Sequence, residues 1–240
     1  MNKNDLEISI VIPVLNEEKN IINLIKEILD AFKNKKKLEI IVVDDGSTDN
    51  TYKNLIKLKN KTPLLKVIKH KSNYGQSISL RSGIIAAKKN IIATIDGDGQ
   101  NNPKDIIKLT MNFKKNEKFF LVIGNRVNRN DTLSRKIASR LAFLIRRVLF
   151  KDSIPDTGCA LKIFKRDDFL MLPFFNHIHR FFPVIFKAYG GKIVSVNVDH
   201  RRRKSGVSKY SNITRALVGI YDVIGVLWLI KRTNNPNYEK

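Results

Sequence analysis

Two kinds of apolar pattern alternate along the first half of the chain. Residues Ile8–Ile12 and Glu39–Val43 are short runs in which nearly every side chain is apolar, as expected for strands buried on both faces. Between them, apolar residues recur every three or four positions from Ile21 to Phe32, which is typical of a helix that packs one face against a sheet. The pattern therefore predicts a strand, a helix and a second strand.

The same alternation continues to about residue 124. It predicts a helix at Asn50–Lys59, a strand at Leu65–Lys69, a helix at Gln76–Lys88, a strand at Ile91–Ile95, a helix at Pro103–Lys115 and a strand at Phe119–Ile123. Strands that alternate with helices in this way form a mostly parallel sheet with helices on both faces. The predicted fold class is therefore α/β.

The pattern changes after Gly124. It predicts a basic loop, a long helix from about Leu133 to Phe150, short mixed elements to Val198 and a last helix from about Asn212 to Lys231. No internal repeat or Gly/Ser-rich linker divides the sequence. We therefore predict one domain over residues 1–240 in three parts: 1–124, 125–211 and a C-terminal amphipathic helix at 212–232.

The charge of the chain calls for an anionic partner. Lysine and arginine outnumber aspartate and glutamate by 45 to 22, which gives a formal net charge of +23. Nucleic acid, an anionic membrane and a phosphorylated substrate all satisfy such an excess. The lysines are scattered over the first half, as on a solvated surface, whereas arginines concentrate later: Arg126, Arg129, Arg135, Arg140, Arg146, Arg147 and Arg201–Arg203. The second half is therefore the better candidate for an anion site.

Cysteine content and the N-terminal sequence favour a cytoplasmic protein. Cys159 is the single cysteine, which we expect to be a small buried packing residue, and no positively charged apolar leader opens the chain. The stretch most similar to a membrane span, Ala216–Ile230, contains Asp222. This argues against a span, while attachment to a membrane surface stays open.

Carboxylates follow three of the predicted strands. They occur at Asn16-Glu17, at Asp44-Asp45 and in the sequence Asp96-Gly97-Asp98-Gly99-Gln100. Each group alone could cap a helix or form a turn. The carboxyl ends of parallel strands meet at one edge of a sheet, however, and several carboxylates there would repel one another without a bound cation or ligand donors. Together they predict a binding crevice.

The third group has the composition of a site for a hard cation. Asp96 and Asp98 are one residue apart on a glycine-flanked turn, and the Gln100 amide oxygen can add a neutral ligand. Oxygen donors suit Mg²⁺ or Mn²⁺, which keep open positions for diphosphate oxygens. Zinc is disfavoured, because His177 and His179 have no further ligands at a recognised spacing. Neither a dinucleotide-binding fingerprint nor a Walker-type loop is present.

Four ordered motifs carry a family resemblance. The segments ISIVIPVLNE from Ile8, IVVDDGSTDNT from Ile41, NYGQS from Asn73 and IDGDGQ from Ile95 resemble the nucleotide-sugar half of a family-2 glycosyltransferase of GT-A fold. Residues 125–211 are similar to the acceptor half of the polyprenyl-phosphate branch, the dolichol-phosphate mannose synthases and their bacterial relatives. That similarity rests on four segments: GNR from Gly124, LSRK from Leu133, DTG from Asp156 and RKSGVSK from Arg203.

The resemblance implies a reaction and its site residues. The reaction is inverting transfer of a mannose- or glucose-like sugar from a nucleoside diphosphate to a dolichyl or undecaprenyl phosphate at the inner face of the cell membrane. The implied nucleotide-sugar residues are Pro13, Asn16, Glu17, Asp45, Gln76 and Asp96; the metal ligands are Asp96, Asp98 and Gln100; the acceptor-phosphate residues are Arg126, Arg135 and Ser139. Asp98, Arg203, Lys209 and Asp156 are the implied catalytic residues, and the implied cofactor is Mg²⁺ or Mn²⁺.

Several segments have two interpretations. Asp156 is either an orienting residue or base, or a loop cap after Pro155. The helices at 133–150 and 213–230 could lie in the membrane interface or pack against the core, and a small anchoring protein could strengthen membrane attachment. His179–Pro183 could shape the acceptor mouth or belong to the core.

Alternative functions also remain at this stage. A basic nucleic-acid-binding α/β protein would use Arg201–Arg203 and the helix at 133–150, but it leaves the carboxylates at the strand ends unexplained, so we expect no nucleic-acid partner. A catalytically silent scaffold is less favoured because Asp96, Asp98 and Arg203 are all present. Within the enzymes, transfer to a hydroxyl of a glycan or lipid is the main alternative.

Overall fold

The computed structural model describes residues 7–33, 37–127, 133–151, 153–201 and 212–233. Within the long helices, residues 133–139, 141–142 and 212–217 are described by their backbone alone. The strands are β1 (Ile8–Val14), β2 (Leu38–Asp44), β3 (Leu65–Lys69), β4 (Ile91–Thr94), β5 (Leu121–Arg126), β6 (Lys162–Lys165) and β7 (Ile193–Val198). The helices are α1 (Ile21–Ala31), α2 (Thr51–Lys59), α3 (Gln76–Ala86), α4 (Lys104–Met111), α5 (Leu133–Phe150), α6 (Arg166–Leu170), α7 (Phe182–Ala188) and α8 (Asn212–Arg232), and a 3-10 turn covers Ile178–Arg180.

The seven strands form one sheet in the order β3-β2-β1-β4-β6-β5-β7. The strands β1 to β4 pair in parallel, as do β5 and β7, whereas β6 is antiparallel to both of its neighbours. The predicted α/β class with a mostly parallel sheet is therefore confirmed. The sheet includes strands from residues 1–124 and from residues 125–211.

Apolar side chains of the inner strands alternate between two cores. In β1, Ile10 and Ile12 face one core together with α1 and α4, while Val11 faces the other core with α3 and α7. All three side chains are fully buried. Successive side chains of a strand point to opposite faces, so a continuous apolar run supplies both cores at once. Helices cover both faces of the sheet, as the sequence predicts.

Several predicted boundaries are wrong by a few residues, among them the end of the strand predicted at Phe119–Ile123, which continues to Arg126. The helix predicted to reach Lys88 ends at Ala86, because Ala87 is extended. The helix predicted to reach Lys115 ends at Met111. The strand predicted from Phe119 begins at Leu121, because Phe119 has a positive φ of 50° that does not fit a strand, and its N–H donates to Asp168 Oδ2 at 2.7 Å.

The long helices α5 and α8 expose apolar side chains. On α8, Val226 is buried in the core, whereas the outer face carries four exposed side chains: Ile220, Tyr221, Ile224 and Trp228. The described part of α8 is therefore apolar on its outer face as well, so the predicted amphipathic character of this helix is not confirmed. On the part of α5 whose side chains are described, the exposed large apolar side chains are Leu144, Ile145, Val148 and Leu149. No helix in the described residues is long and apolar enough to cross a membrane.

Candidate active site

The three acidic strand ends lie side by side. They meet because β2, β1 and β4 are consecutive and parallel in the sheet, so their carboxyl ends share one edge. Pro13 lies at this end of β1, beyond the last residue of β1 that pairs with β4, where a missing N–H does not interrupt the ladder with β4. The predicted convergence of these groups is what the sheet order produces.

Asp45 is held at the beginning of α3. Its Oδ2 accepts a hydrogen bond from the N–H of Gly75 at 2.7 Å, and its Oδ1 accepts one from the N–H of Tyr74 at 3.0 Å. His70 Nδ1 lies 2.7 Å from the same Oδ1. Sequence reasoning missed His70, although its position directly after β3 is the signal that could have found it. The contacts fix one carboxylate beside the end of β2.

Asn16 and Glu17 connect the loops that follow β1 and β2. Asn16 has a positive φ of 53°, and its Oδ1 accepts a hydrogen bond from the N–H of Thr48 at 2.8 Å. The side chain of Glu17 is buried and accepts a hydrogen bond from Asn20 Nδ2 at 2.7 Å, while its N–H donates to Thr51 Oγ1 at 2.8 Å. Both residues, which the sequence predicts to bind the nucleotide sugar, are therefore fixed at this edge of the sheet.

The acidic turn, residues Asp96–Gln100, follows β4. Asp96 Oδ1 accepts a hydrogen bond from Gln76 Nε2 at 2.8 Å, and Asp98 Oδ1 accepts one from the N–H of Gln100 at 3.1 Å. Burial and the nearby charge of Asp98 raise the pKa of Asp96 to about 6. Two like-charged carboxylates on one turn are stabilised by a cation placed between them. The donor set therefore fits a hard divalent ion.

The acidic turn offers only a small set of protein ligands. The described residues contain no group of three or more His, Cys, Asp or Glu side chains that could hold a metal ion. Asp96 and Asp98 are two carboxylates, so an ion bound to them would need further oxygen ligands such as those of a diphosphate. Such a set does not resemble a closed structural metal site.

Gln100 connects the acidic turn to the segment that follows β7. Its Nε2 donates to the carbonyl of Arg201 at 3.2 Å and lies 3.3 Å from His200 Nε2, while the Arg201 N–H donates to the Gln100 carbonyl at 2.8 Å. The Arg201 guanidinium pairs with Glu27 at 2.6 Å. The role of Gln100 as a metal ligand stays a prediction.

Some of the predicted residues fall outside what the structure describes. Arg203 and Lys209 lie in the part of the chain that it does not cover, and so does Arg129. Arg135 and Ser139 lie in α5, where the structure describes their backbone but not their side chains. Their predicted roles therefore stay predictions.

Arg126 and Asp156 form a buried ion pair at the end of β5. Arg126 donates from Nε to Asp156 Oδ2 at 2.6 Å and from Nη2 to Oδ1 at 2.8 Å. Burial alone would lower the pKa of Arg126, but the hydrogen bonds and charge of Asp156 raise it, so the guanidinium stays charged. Both carboxylate oxygens of Asp156 face this guanidinium. Of the interpretations for Asp156, the geometry favours the orienting residue.

Lys162, at the start of β6, is a site residue that sequence reasoning missed. Its side chain is buried, donates to the Cys159 carbonyl and lies in the electrostatic field of Asp96 and Asp156. Burial lowers the pKa of Lys162. Cys159 is fully buried, as predicted for a packing residue. A lysine inside a short apolar strand has no sequence signal that separates it from a surface lysine.

Comparison with known proteins identifies the chain. Residues 9–170 match the family model described as "Glycosyl transferase family 2". The chain belongs to glycosyltransferase family 2. This membership establishes a glycosyltransferase enzyme and so favours the enzyme over the nucleic-acid-binding and scaffold alternatives.

Two named relatives of this family-2 glycosyltransferase cover most of its chain. It is 35% identical over 239 residues to the dodecaprenyl-phosphate galacturonate synthase of Rhizobium johnstonii. This alignment covers 97% of this chain and 70% of the relative. It is 32% identical over 225 residues to the undecaprenyl-phosphate 4-deoxy-4-formamido-L-arabinose transferase of Pectobacterium carotovorum, covering 92% of this chain and 67% of the relative. Both names describe sugar transferases that act on a polyprenyl phosphate.

Solved structures of similar shape confirm the GT-A fold of this glycosyltransferase. Glucosyl-3-phosphoglycerate synthase from Mycobacterium tuberculosis, in complex with Mn²⁺, uridine diphosphate and phosphoglyceric acid, superposes with a TM-score of 0.69 at 20% identity, over 95% of this chain and 80% of that chain. Mannosyl-3-phosphoglycerate synthase from Rubrobacter xylanophilus gives a TM-score of 0.68 at 14% identity, over 97% and 77% of the two chains.

Proposed function

We propose that this glycosyltransferase transfers a sugar from a nucleoside diphosphate to the phosphate of a polyprenyl lipid, with inversion at the anomeric carbon, at the inner face of the cell membrane. The observation that carries the proposal is the shared edge of the sheet, where the acidic turn and the Arg126–Asp156 pair both lie close to the buried Lys162. A site for a metal-bound diphosphate therefore adjoins a fixed guanidinium. The activities named for the two relatives support the same reaction.

The donor would lie along the ends of β1, β2 and β4. Pro13, Asn16, Glu17 and Asp45 would contact the nucleoside, and Gln76 would keep Asp96 turned toward the diphosphate through its hydrogen bond of 2.8 Å. Asp96 and Asp98 would hold Mg²⁺ or Mn²⁺, with Gln100 as a further ligand. When bound, the ion supplies positive charge to the diphosphate as it departs.

The phosphate of the acceptor lipid would bind beside Arg126, on the other side of the site from the nucleotide sugar. Arg126 presents a charged guanidinium that Asp156 holds in one orientation, and Arg135 and Ser139 would add donors from α5. A phosphate oxygen is already ionised at neutral pH, so it can attack without a strong general base. Fixing its position then supplies most of what the reaction needs from the acceptor side.

The bond changes balance without a further reactant. An acceptor phosphate oxygen forms a bond to the anomeric carbon, while the bond from that carbon to the diphosphate breaks and the nucleoside diphosphate leaves. Arg203 and Lys209 would stabilise the negative charge that develops on the leaving diphosphate. Attack opposite to the leaving group inverts the anomeric configuration.

Membrane attachment is supported by the apolar side chains that α5 and α8 expose. Tyr221 and Trp228 are 80% and 63% exposed, and Val148 on α5 is 78% exposed. Large apolar side chains that face water on two helices are typical of an interaction surface. The net charge of +23 would strengthen attraction to an anionic leaflet. We propose a peripheral enzyme that meets its lipid at the headgroup level.

The test is a product assay. The purified protein would be incubated with Mn²⁺ or Mg²⁺, a polyprenyl phosphate and single nucleotide sugars, including uridine diphosphate galacturonate and glucose and guanosine diphosphate mannose. Mass spectrometry would identify the product. We expect one sugar-phosphate-prenol, formed only with metal. Transfer to a lipid or glycan hydroxyl, with the polyprenyl phosphate unused, would replace this proposal by the alternative acceptor.

A further inference from the structure

Two histidines of one turn contact two different helices. The side chain of His179, in the 3-10 turn Ile178–Arg180, shares a hydrogen bond of 2.7 Å between its Nδ1 and Ser77 Oγ at the beginning of α3. His177, just before the turn, places its Nδ1 at 2.9 Å from Asp222 Oδ2 of α8. The turn therefore joins the first turn of α3 to the C-terminal helix.

Three consecutive residues at the start of α3 have three separate contacts. Gly75 donates its N–H to Asp45, Gln76 donates its side-chain amide to Asp96, and Ser77 bonds to His179. The first two contacts reach the donor side of the candidate site. Only the third reaches the acceptor half of the sequence. The position of Gln76 therefore depends on contacts at the residues before and after it.

The first turn of α3 has no capping side chain of its own and is held by side chains from other elements. Its N-cap residue is Gly75, with a φ of 95°, and no side chain caps the helix. A helix without a capping side chain leaves its first N–H groups to other partners and its end less firmly placed. Ser77 is buried, at 1% exposure, so its hydroxyl needs a partner within the protein. The imidazole of His179 meets that need.

The chemistry of His179 suits a fixed contact. Burial, followed by the charges of Lys162 and Arg180, lowers the pKa of His179 well below its usual range. The imidazole is therefore neutral throughout the range in which the enzyme would be assayed. A neutral ring keeps one donor and one acceptor nitrogen, so the bond to Ser77 persists without change of charge.

The turn that contains His179 is also held by a contact between His177 and α8. The backbone of His177 has a φ of 68°, in the left-handed region that non-glycine residues seldom occupy. Such a conformation persists where surrounding contacts hold it, and the contact with Asp222 is one of them. Phe181 and Phe182, which follow the turn, are buried in the core. The residues after His179 thus belong to the core interpretation of segment 179–183.

We propose that His179 is a positioning residue: through Ser77 it holds the first turn of α3, and thereby keeps the amide of Gln76 against Asp96. The inference rests on the proposed function, in which Asp96 binds the metal of the sugar donor. His179 does not touch a substrate. Its loss should therefore alter metal and donor binding while leaving acceptor binding unchanged.

The test compares two substitutions of similar size. His179→Leu removes the hydrogen bond and fills most of the volume, whereas His179→Asn places a polar atom near the Nδ1 position and keeps a bond to Ser77. Mn²⁺ affinity would be measured by electron paramagnetic resonance of free Mn²⁺, without turnover. Loss of one hydrogen bond corresponds to about a tenfold change in a binding constant. We expect His179→Leu to weaken Mn²⁺ binding and raise the donor KM about tenfold, with the acceptor KM unchanged and His179→Asn close to wild type.

Ser77→Ala provides a second variant that removes the other partner with little change in volume. It should reproduce the effect of His179→Leu, and the double variant should be no worse than either single one. Equal changes in donor and acceptor KM, additive effects, or unchanged Mn²⁺ affinity in both single variants would overturn the inference. A wild-type protein that transfers no sugar would instead contradict the proposed function, so the two failures are distinguishable.

Discussion

The guanidinium of Arg126 donates two hydrogen bonds to the carboxylate of Asp156, from Nε at 2.6 Å and from Nη2 at 2.8 Å. This two-point contact sets the plane of the guanidinium, and Asp156 itself is buried. Gly158 lies beside the pair, where a Cβ atom would come within 3.4 Å of Arg126 Nη2. The proposed acceptor side of the site is thus built around one fixed orientation of Arg126.

Removing Asp156 should affect both stability and acceptor binding. In Asp156→Ala the buried guanidinium of Arg126 loses its partner, which typically costs about 3–5 kcal/mol of unfolding free energy. We expect a lower urea midpoint and a raised KM for polyprenyl phosphate, with the donor KM unchanged. Asp156→Asn keeps one acceptor oxygen, so its urea midpoint and its KM for polyprenyl phosphate should lie between those of wild type and those of Asp156→Ala. A fall in kcat alone, with an unchanged acceptor KM, would instead indicate a base.

Loss of Asp98 should abolish transfer without unfolding the protein. Asp98 lies on a turn, and its described hydrogen bond is local, from the N–H of Gln100. We expect Asp98→Ala to show less than about 1% of wild-type turnover and no saturable Mn²⁺ binding, because one of two carboxylate ligands is gone. Circular dichroism and the melting temperature should match those of wild type.

A matched control is Asp167→Ala. Asp167 is also an aspartate whose ion pair is local in sequence, with the adjacent Arg166, but its side chain is 67% exposed on α6. This control should keep full activity. Turnover in Asp98→Ala that equals the control in the presence of metal would contradict the metal-binding role.

The raised pKa of Asp96 predicts that the ionised carboxylate, which the proposed metal site needs, lowers the stability of the metal-free protein. Because burial and Asp98 raise this pKa from 3.8 to about 6, the folded protein keeps a proton between these values that the unfolded chain has lost. The contribution of Asp96 to the unfolding free energy therefore falls as pH rises from about 4 to 6, and stays low at higher pH. Asp96→Asn avoids this penalty.

Metal-free Asp96→Asn should therefore be more stable than wild type at pH 7.5, by an amount of the order of 3 kcal/mol. The difference should shrink at pH 5. Mn²⁺ should stabilise wild type at pH 7.5, far less at pH 5, and should not stabilise the variant. Thermal unfolding with and without Mn²⁺ at both pH values measures all three quantities. A variant less stable than metal-free wild type at pH 7.5 would contradict the pKa shift.

The outer face of α8 should determine membrane binding. Ile224 and Trp228 are 62% and 63% exposed, so replacing both by serine should leave the melting temperature unchanged. Burial of one such side chain in lipid is worth about 1.5–3 kcal/mol, so we expect binding to phosphatidylglycerol vesicles to weaken by at least about tenfold.

Met171→Ser is the matched control for this experiment, because Met171 is 66% exposed but lies directly after α6. Flotation with vesicles should not distinguish the control from wild type. Equal loss of binding in both proteins would place the lipid contact elsewhere.

The regular part of the fold could be predicted because its signals are local. The apolar runs of β1 and β2 and the periodicity of α1 each lie within about ten residues of sequence. By contrast, β6 has four residues, with lysines at both ends, and carries no periodic signal. Its antiparallel position between β4 and β5 depends on pairing with residues about seventy and forty positions earlier in the sequence.

The candidate site shows the same division. The carboxylates of Asp45 and Asp96 could be predicted because each directly follows an apolar run. The long-range contacts around them could not: His70 lies 25 residues from its partner Asp45, and Ser77, next to Gln76, lies 102 residues from its partner His179. The position of His70 directly after β3 is a local signal that it belongs to the site, but the local sequence does not indicate which group it contacts, because the folded sheet creates these contacts.

The direction of β6 has a consequence for how the enzyme can diverge. Because this strand runs opposite to β4, its first residue, Lys162, pairs with Thr94 at the end of β4, so the loop before β6 enters the site directly. That loop carries Asp156 within six residues of Lys162. Insertions or deletions between these two positions would displace one charge relative to the other. We expect the length of this loop to tolerate far less variation among functional homologues than the surface loop between α2 and β3.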